Sequence, residues 1–381
     1  MDKILLLIIL FISISCNNNI EDQGCKINCS ENELCAIDSG EEICVCKEKF
    51  HKENNICVKN IIDSCKNITC KTNSSCLEGE CICDDGYEIN QNNDCISIVE
   101  NFTLRLLTSN LTSGNTQSYK EPGINILKAL NADIIMIQEF NAEGGVENFV
   151  KNTFGEEFYF FRGTPTRNGD IPNGIISRYP IINSGEWNDP RVKDRKIDWS
   201  IIDMSQNLTK NIFIVSVHLK AKEGSSQITA ANIISEKIYN HRLENPNKFY
   251  YIVGGDFNGD ASLCRKNKRD TCNGFKTYNR EDIFYTELPD PYSQYQHNTT
   301  TNRTKSKQLD FILVDHNLKD KQFSTNYCDD DDNCLNYPNG LVFRSNDYSQ
   351  KELDKYFVPV KRTDSEATQM QHMGVVKDFK F

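Results

Sequence analysis

Tyr251-Ile-Val-Gly-Gly-Asp256-Phe257-Asn258 joins an apolar, β-prone run to a glycine pair and then to an Asp and an Asn two positions apart. In extended chain, residues i and i+2 point to the same side. Asp256 and Asn258 are therefore expected to stand together at the end of a buried strand, an arrangement suited to holding a metal, a water or a phosphate. A strand followed by an ordinary Asp/Asn turn has the same appearance. What separates the two readings is the rest of the chain.

Equivalent strand ends recur. Asp133-Ile-Ile-Met-Ile-Gln138-Glu139 closes a buried-type strand on a polar pair, and Phe213-Ile-Val-Ser-Val-His218 closes one on a histidine. Gln308-Leu309-Asp310-Phe-Ile-Leu-Val starts a strand with an Asp. Met370-Gln371-His372-Met-Gly-Val-Val precedes the last strand, and Asn110 follows Leu104-Arg-Leu-Leu-Thr. Function concentrates on element ends held by a rigid scaffold.

The start of the chain carries an export pattern. Lys3 precedes nine apolar residues, Ile4 to Ile12, and then Ser13-Ile14-Ser15-Cys16. This run is well short of the roughly 20 residues a membrane span needs. Ser-Ile-Ser-Cys before Asn17-Asn18-Asn19 resembles a bacterial lipoprotein signal, which implies a lipidated Cys16, residues 1–16 as the signal and 17–24 as a linker. A plain secretory peptide cut near Ser15 is the alternative. Of the 17 cysteines, 16 remain once Cys16 is set aside. Even pairing in an exported chain favours disulfides over thiols or zinc.

Twelve of those cysteines form two sets of six: Cys25, Cys29, Cys35, Cys44, Cys46 and Cys57, then Cys65, Cys70, Cys76, Cys81, Cys83 and Cys95. Spacing alone leaves many pairings open. Each set has a Cys-x-Cys pair, and the second continues Cys83-Asp-Asp-Gly86-Tyr87; both resemble EGF-like modules. That resemblance implies Cys25–Cys35, Cys29–Cys44 and Cys46–Cys57 in residues 25–57. It implies Cys65–Cys76, Cys70–Cys81 and Cys83–Cys95 in residues 65–95, after a linker at 58–64. Modules this small depend on their disulfides. Asp63-Ser64-Cys65 lacks the fuller acidic lead-in of a calcium-binding module.

From residue 97 the pattern changes to alternating strands and amphipathic helices, with Ala230, Ile233, Ile234 and Ile238 on one helical face. Residues 97–381 suffice for one large α/β domain. The first 100 residues hold 8 basic and 18 acidic side chains, and the rest hold 35 and 36. The acidic balance thus belongs to the N-terminal region and does not exclude an anionic substrate downstream. Two disulfide loops are expected there. Cys264–Cys272 encloses Arg265, Lys266, Lys268 and Arg269, which would either grip phosphates or be a solvated surface loop. Cys328–Cys334 encloses Asp329 to Asp332, consecutive carboxylates that cannot readily converge on one ion.

Asn110, Gln138-Glu139, Asn173-Gly174 before Ile-Ile-Ser-Arg-Tyr-Pro180, Ser216-Val-His218, Gly255-Asp-Phe-Asn258, Leu309-Asp310 and His372 resemble, in that order, the endonuclease/exonuclease/phosphatase superfamily. The match runs from about Leu104 to Phe379. Leu111-Thr-Ser-Gly-Asn115 and Met370-Gln-His-Met373 are similar to exported bacterial members. The resemblance implies a four-layer αββα sandwich of two mainly antiparallel sheets. It also implies phosphoester hydrolysis with a divalent metal, usually Mg²⁺, with Mn²⁺ as the alternative.

Chemistry assigns the roles. A phosphodiester is anionic and repels hydroxide, so a Lewis acid is needed. Glu139 and Asn110 are the hard oxygen donors expected to hold it. His372 is the expected general acid or base, with Asp310 fixing its tautomer. Asp256 is expected to orient the attacking water. Asn258 and His218 are expected to donate to transition-state oxygens, and Asn173 to contact substrate. Many superfamily members carry Ser-Asp-His where this chain has Met370-Gln371-His372. The neutral Gln371 favours one ion over two and leaves its amide for substrate or water. His51, His241, His297 and His316 read as structural.

The expected protein is a monomeric, lipid-anchored, extracytoplasmic phosphodiesterase, with nucleic acid as the favoured substrate and a protein partner for the EGF-like modules. A sphingomyelinase-like or small-molecule phosphodiesterase stays open. So does a non-catalytic adhesion protein, against which the retained Glu139, Asp256, Asn258, Asp310 and His372 argue.

Overall fold

Leu104, Leu106, Ile134 and Met136 face one way, and Leu107, Ile135 and Ile137 face the other. That period-two division, repeated through two sheets, builds the larger part of the molecule. The computed structural model describes residues 27–97 apart from 39, 49, 54, 60–64, 66, 67, 78, 85 and 91; it then describes 102–111, 120–165, 171–221, 224–259, 291–294 and 297–381. Cys16, Cys25, Cys264, Cys272 and the loop from Arg265 to Arg269 lie outside the described residues.

The described chain divides into two units, Met1–Thr69 with Cys76–Cys81, and Cys70–Ser75 with Ile82–Phe381. The first unit contains the antiparallel hairpins Glu33–Asp38 with Glu41–Cys46 and Phe50–Glu53 with Ile56–Lys59. Disulfides join Cys29 to Cys44, Cys46 to Cys57, Cys65 to Cys76, and, in the second unit, Cys83 to Cys95 and Cys328 to Cys334. Cys35, Cys70 and Cys81 are disulfide-bonded as well. So many disulfides point to an extracytoplasmic location.

In the second unit, β1 (Thr103–Ser109) leads through α1 (Glu121–Leu130) to β2 (Ile134–Ile137), α2 (Val146–Phe154), β3 (Tyr159–Arg162) and β4 (Gly174–Ser177). Then come β5 (Ile181–Trp187), β6 (Ile197–Ile202), β7 (Asn211–His218), α3 (Gly224–Glu244) and β8 (Phe249–Asp256). After them follow β9 (Asp310–Val314), β10 (Gln322–Phe323), β11 (Thr325–Cys328), β12 (Cys334–Tyr337), β13 (Leu341–Val342), α4 (Gln350–Tyr356) and β14 (Val375–Lys380). One sheet has the order β3-β4-β2-β1-β14-β10, with β13 also on β14; the other has the order β5-β6-β7-β8-β9. Only β1–β2 and β7–β8 are parallel among these pairs. Each parallel pair spans a helix, α1 or α3, because a parallel connection needs a long crossover.

Local sequence fixes the helices. α1 starts with Glu121-Pro122 and ends at Asn131 in the left-handed conformation, φ 44°, matching the Pro-first, αL-last pattern of helix ends. Ser349 and Glu352 form a reciprocal capping box on α4.

Between the sheets, Leu104, Leu106, Ile134 and Met136 meet Ile212, Ile214, Ile252 and Ile312. Ile126, Leu127, Leu130 and Phe149 from α1 and α2 cover the outer face of the first sheet. Ala230, Ala231, Ile234 and Ile238 of α3 cover the second. This is the four-layer sandwich. Burying one such Leu or Ile contributes about 2 kcal/mol. At one end the inner layer changes character. The same inward parity continues from apolar residues into Thr108, Gln138, Ser216, Asp256 and Asp310, all buried.

Candidate active site

Register puts three of the polar residues in a row. His218, last in β7, pairs with Asp256, last in β8. Asp256 pairs in turn with Asp310, first in β9. The facing sheet brings Asn110 from the end of β1, Gln138 and Glu139 from the end of β2, and His372 from just before β14.

The glycine pair explains how β8 fits. Gly255 has φ 149°, and a Cβ there would collide with the Val217 carbonyl of β7. At Gly254 the Met136 thioether from the opposite sheet occupies the space of a side chain. The sheets close tightly immediately behind Asp256.

Asp256 is the hub. Its Oδ2 accepts from Asn110 Nδ2 at 3.2 Å and Asn258 Nδ2 at 3.2 Å, and lies 3.4 Å from His218 Nε2 and from His372 Nε2. Its Oδ1 accepts from the Asn258 N–H at 2.8 Å. Asn258 also donates from Nδ2 to the Leu219 carbonyl at 3.0 Å, so its amide is spent on orienting Asp256. His372 Nδ1 lies 2.9 Å from Asp310 Oδ2. Thr301 Oγ1 donates to the same oxygen at 2.6 Å and accepts from the Asp310 N–H at 3.0 Å. Glu139 Oε1 lies 4.0 Å from His218 Nδ1.

Glu139 and Asn258 have φ 54° and 49°. Asn tolerates the left-handed region; a Glu there costs about 1 kcal/mol or more. Neighbouring backbone bonds hold the Glu139 turn, with the Gln138 N–H on the Ser109 carbonyl at 3.0 Å and the Phe140 N–H on the Pro172 carbonyl at 2.7 Å.

Burial and charge split the two imidazoles. Burial, then Arg195 and His372, push His218 well below the usual histidine range. Burial works against a charged His372 too, but Asp310 and Asp256 outweigh it and raise that ring to about 10. Burial raises Asp256 to about 6, with His372 opposing. The surroundings therefore favour the neutral form of His218 and the protonated form of His372, on either side of one carboxylate.

The donor set suits a hard divalent cation. Asp256, Asp310 and His372 present polar atoms within 4.8 Å of one another, but a His372 held protonated by Asp310 has no lone pair for an ion, which leaves the carboxylates and the Asn110 amide as donors. Asn110 Oδ1 is buried without a hydrogen-bond partner, which is rare unless something else binds it. Glu139 is buried close to His218.

Other expected residues are placed as follows. Asn173 is buried, donates to the Lys196 carbonyl at 2.7 Å, and leaves Oδ1 without a partner. It precedes Gly174, which pairs with Ile137 of β2. Gln371 is exposed, with its carbonyl accepting from the Arg303 N–H at 2.8 Å. His241 packs on Phe213 and lies 3.1 Å from the Tyr251 hydroxyl, a structural setting.

Three residues went unread in the sequence. Arg195 Nη1 lies 2.8 Å from both ring nitrogens of His218. Thr301 anchors Asp310. Asp198 of β6, cross-strand from Ser216, is fully buried, and neither of its oxygens has a well-formed hydrogen bond. Arg195 sits in the charged run Arg191-Val-Lys-Asp-Arg-Lys196, which looks like a solvated loop; its only signal is the strand that follows.

Residues 124–335 match the Endonuclease/Exonuclease/phosphatase family, and the chain belongs to that family of hydrolytic phosphoesterases. Similar solved structures include an endonuclease/exonuclease/phosphatase family protein of Bacteroides thetaiotaomicron, at 12% identity and TM-score 0.45, covering 74% of this chain and 99% of that one. A mannosyl-6-phosphatase of the same organism gives 13% and 0.46, covering 73% and 100%. The human Nocturnin catalytic domain gives 13% and 0.48, covering 73% and 94%. No curated protein matches the chain.

Proposed function

We propose that this protein is an extracytoplasmic, Mg²⁺-dependent phosphodiesterase that cleaves nucleic acid. The observation that carries the hydrolytic reading is the Asp256 carboxylate, set 3.4 Å from the imidazoles of both His218 and His372 at the meeting of the two sheets. Glu139 and Asn110 Oδ1 would hold one Mg²⁺, and the ion would supply Lewis-acid neutralisation of the phosphoryl oxygens.

The chain's own groups divide the remaining work. Asp256, raised to about 6, is ionised at neutral pH yet basic enough to take a proton from an attacking water. Asn258 and Asn110 aim that carboxylate. His372, raised to about 10, stays protonated and donates from Nε2 to a phosphoryl or leaving-group oxygen. Asp310 binds the opposite ring nitrogen and fixes the ring. His218, kept neutral, offers one N–H to the developing charge, with Arg195 beside it. Asn173 and Gln371 contact the substrate flank. The basic residues Arg265, Lys266, Lys268 and Arg269 track a polynucleotide backbone. Cys16 carries the lipid anchor, and the two EGF-like modules act as a spacer and a protein-binding element.

The test is the full-length protein against DNA, RNA, sphingomyelin vesicles and soluble phosphate diesters, with Mg²⁺ and with chelator. Cleavage of polynucleotide only with the ion is expected. Cleavage of sphingomyelin alone would move the substrate assignment to lipid.

A further inference from the structure

We propose that Arg344 is a positioning residue for the Asp310–His372 pair and acts through Thr301; this rests on the phosphoesterase reading above. Arg344 is 2% exposed, among the largest fully buried side chains in the protein. Burying a guanidinium is costly unless its donors are well used. Its bonds all run from one nitrogen: Nη2 reaches the Thr300 carbonyl at 2.7 Å and the Asn302 carbonyl at 2.9 Å, while Nε is buried without a partner. The two carbonyls flank Thr301, so the cation clamps the backbone on both sides of that residue.

Thr301 is where the two halves of the pair are joined. Its N–H donates to the Lys307 carbonyl at 2.8 Å, on the approach to β9. Its carbonyl accepts from the Met373 N–H at 2.8 Å, one residue past His372. Its hydroxyl donates to Asp310 Oδ2 at 2.6 Å and accepts from the Leu309 and Asp310 N–H groups at 2.9 and 3.0 Å. Asn302 bridges to His372, and the Arg303 N–H donates to the Gln371 carbonyl. Holding residues 300–302 therefore holds the 2.9 Å separation of Asp310 and His372.

Arg344 is itself held through its chain neighbours. The Phe343 N–H bonds the Gly374 carbonyl at 2.9 Å, and Ser345 and Ser365 exchange backbone-to-hydroxyl bonds at 2.8 and 2.9 Å. A lysine would keep the charge, but its flexible stem lacks the rigid guanidinium plane that holds Nη2 between the two carbonyls.

The test is a double-mutant cycle of Arg344→Lys and Thr301→Val, the latter nearly isosteric. Arg344→Lys should lower kcat about tenfold with KM within about twofold, as small misplacements do. In the Thr301→Val background the same change should have little further effect. Full additivity would mean that Arg344 does not act through the Thr301 hydroxyl on Asp310; together with unchanged exchange at the Thr301 and Met373 amides it would overturn the proposal. A second readout does not need activity: amide exchange at Thr301 and Met373 should quicken about tenfold in Arg344→Lys, with β7 and β8 unchanged. Unchanged exchange, or acceleration spread over the whole domain, would also overturn it. If wild type cleaves no phosphoester, the phosphoesterase reading fails by itself, and exchange alone decides whether the clamp exists.

Discussion

Replacing Asp198 by Asn should stabilise the protein, by an amount that grows with pH. Burial, then the neighbouring Glu186, raises the Asp198 carboxyl from 3.8 to about 8. The folded chain thus holds a proton that the unfolded chain releases above about pH 4. The sign follows: this group's contribution is fully present below about pH 4 and is lost as pH rises through about 8. A gap of about four pH units at about 1.4 kcal/mol each sets an upper bound of about 5 to 6 kcal/mol. The amide introduced by Asp198→Asn has nearly the shape of the neutral acid and cannot ionise. Urea unfolding of both proteins from pH 4 to 9, with disulfides intact, gives the difference in stability at each pH. That difference should start near zero at pH 4, rise in favour of Asp198→Asn, and level off above pH 8. A difference independent of pH would show that Asp198 is ionised in the fold, and the reasoning would fail.

Further outcomes are expected at the site and the chain ends. Asp310→Asn should cut kcat about 100-fold or more with KM little changed, and should move the alkaline limb set by His372 down from near pH 10; steady-state rates against pH measure both. Neutralising Lys266, Lys268 and Arg269 together should reduce the slope of log K against log salt for DNA binding by about one per lost phosphate contact. An unaltered slope would mean a solvated loop. Cys16→Ser should shift the protein from the membrane fraction to the soluble one, and a mature N-terminus without acyl groups in wild type would refute the anchor.

Much of the fold was legible because period-two parity is unambiguous where a strand is apolar throughout. Ile134–Ile137 and Phe249–Asp256 read as buried strands, and their polar endings read as a site. The helical face through Ala230, Ile234 and Ile238 packs as its spacing implies. The site was legible only where a residue ends such a strand. Asp198 shows the limit. Ile197-Asp-Trp-Ser-Ile-Ile202 alternates like a half-exposed strand with Asp198 and Ser200 turned to water, yet both are fully buried. Nothing local says which face of β6 meets the other sheet; the partner strands decide it. Thr301 and Arg344 fail for a related reason. Their roles depend on a loop laid across the start of β9 and the approach to β14, a contact between segments far apart in sequence. The glycine pair also has a cause the sequence conceals, since Gly255 is required by the Val217 carbonyl.

The most direct test of the central claim is Mg²⁺-dependent hydrolysis by Glu139→Ala beside wild type. Glu139 supplies the carboxylate from the β2 end, so its loss should remove most ion affinity, read by calorimetry, and should abolish cleavage of a phosphodiester. Circular dichroism should show the fold intact. Wild type that cleaves equally well in chelator, or Glu139→Ala that binds Mg²⁺ and turns over normally, would contradict a metal-dependent phosphoesterase built on this site.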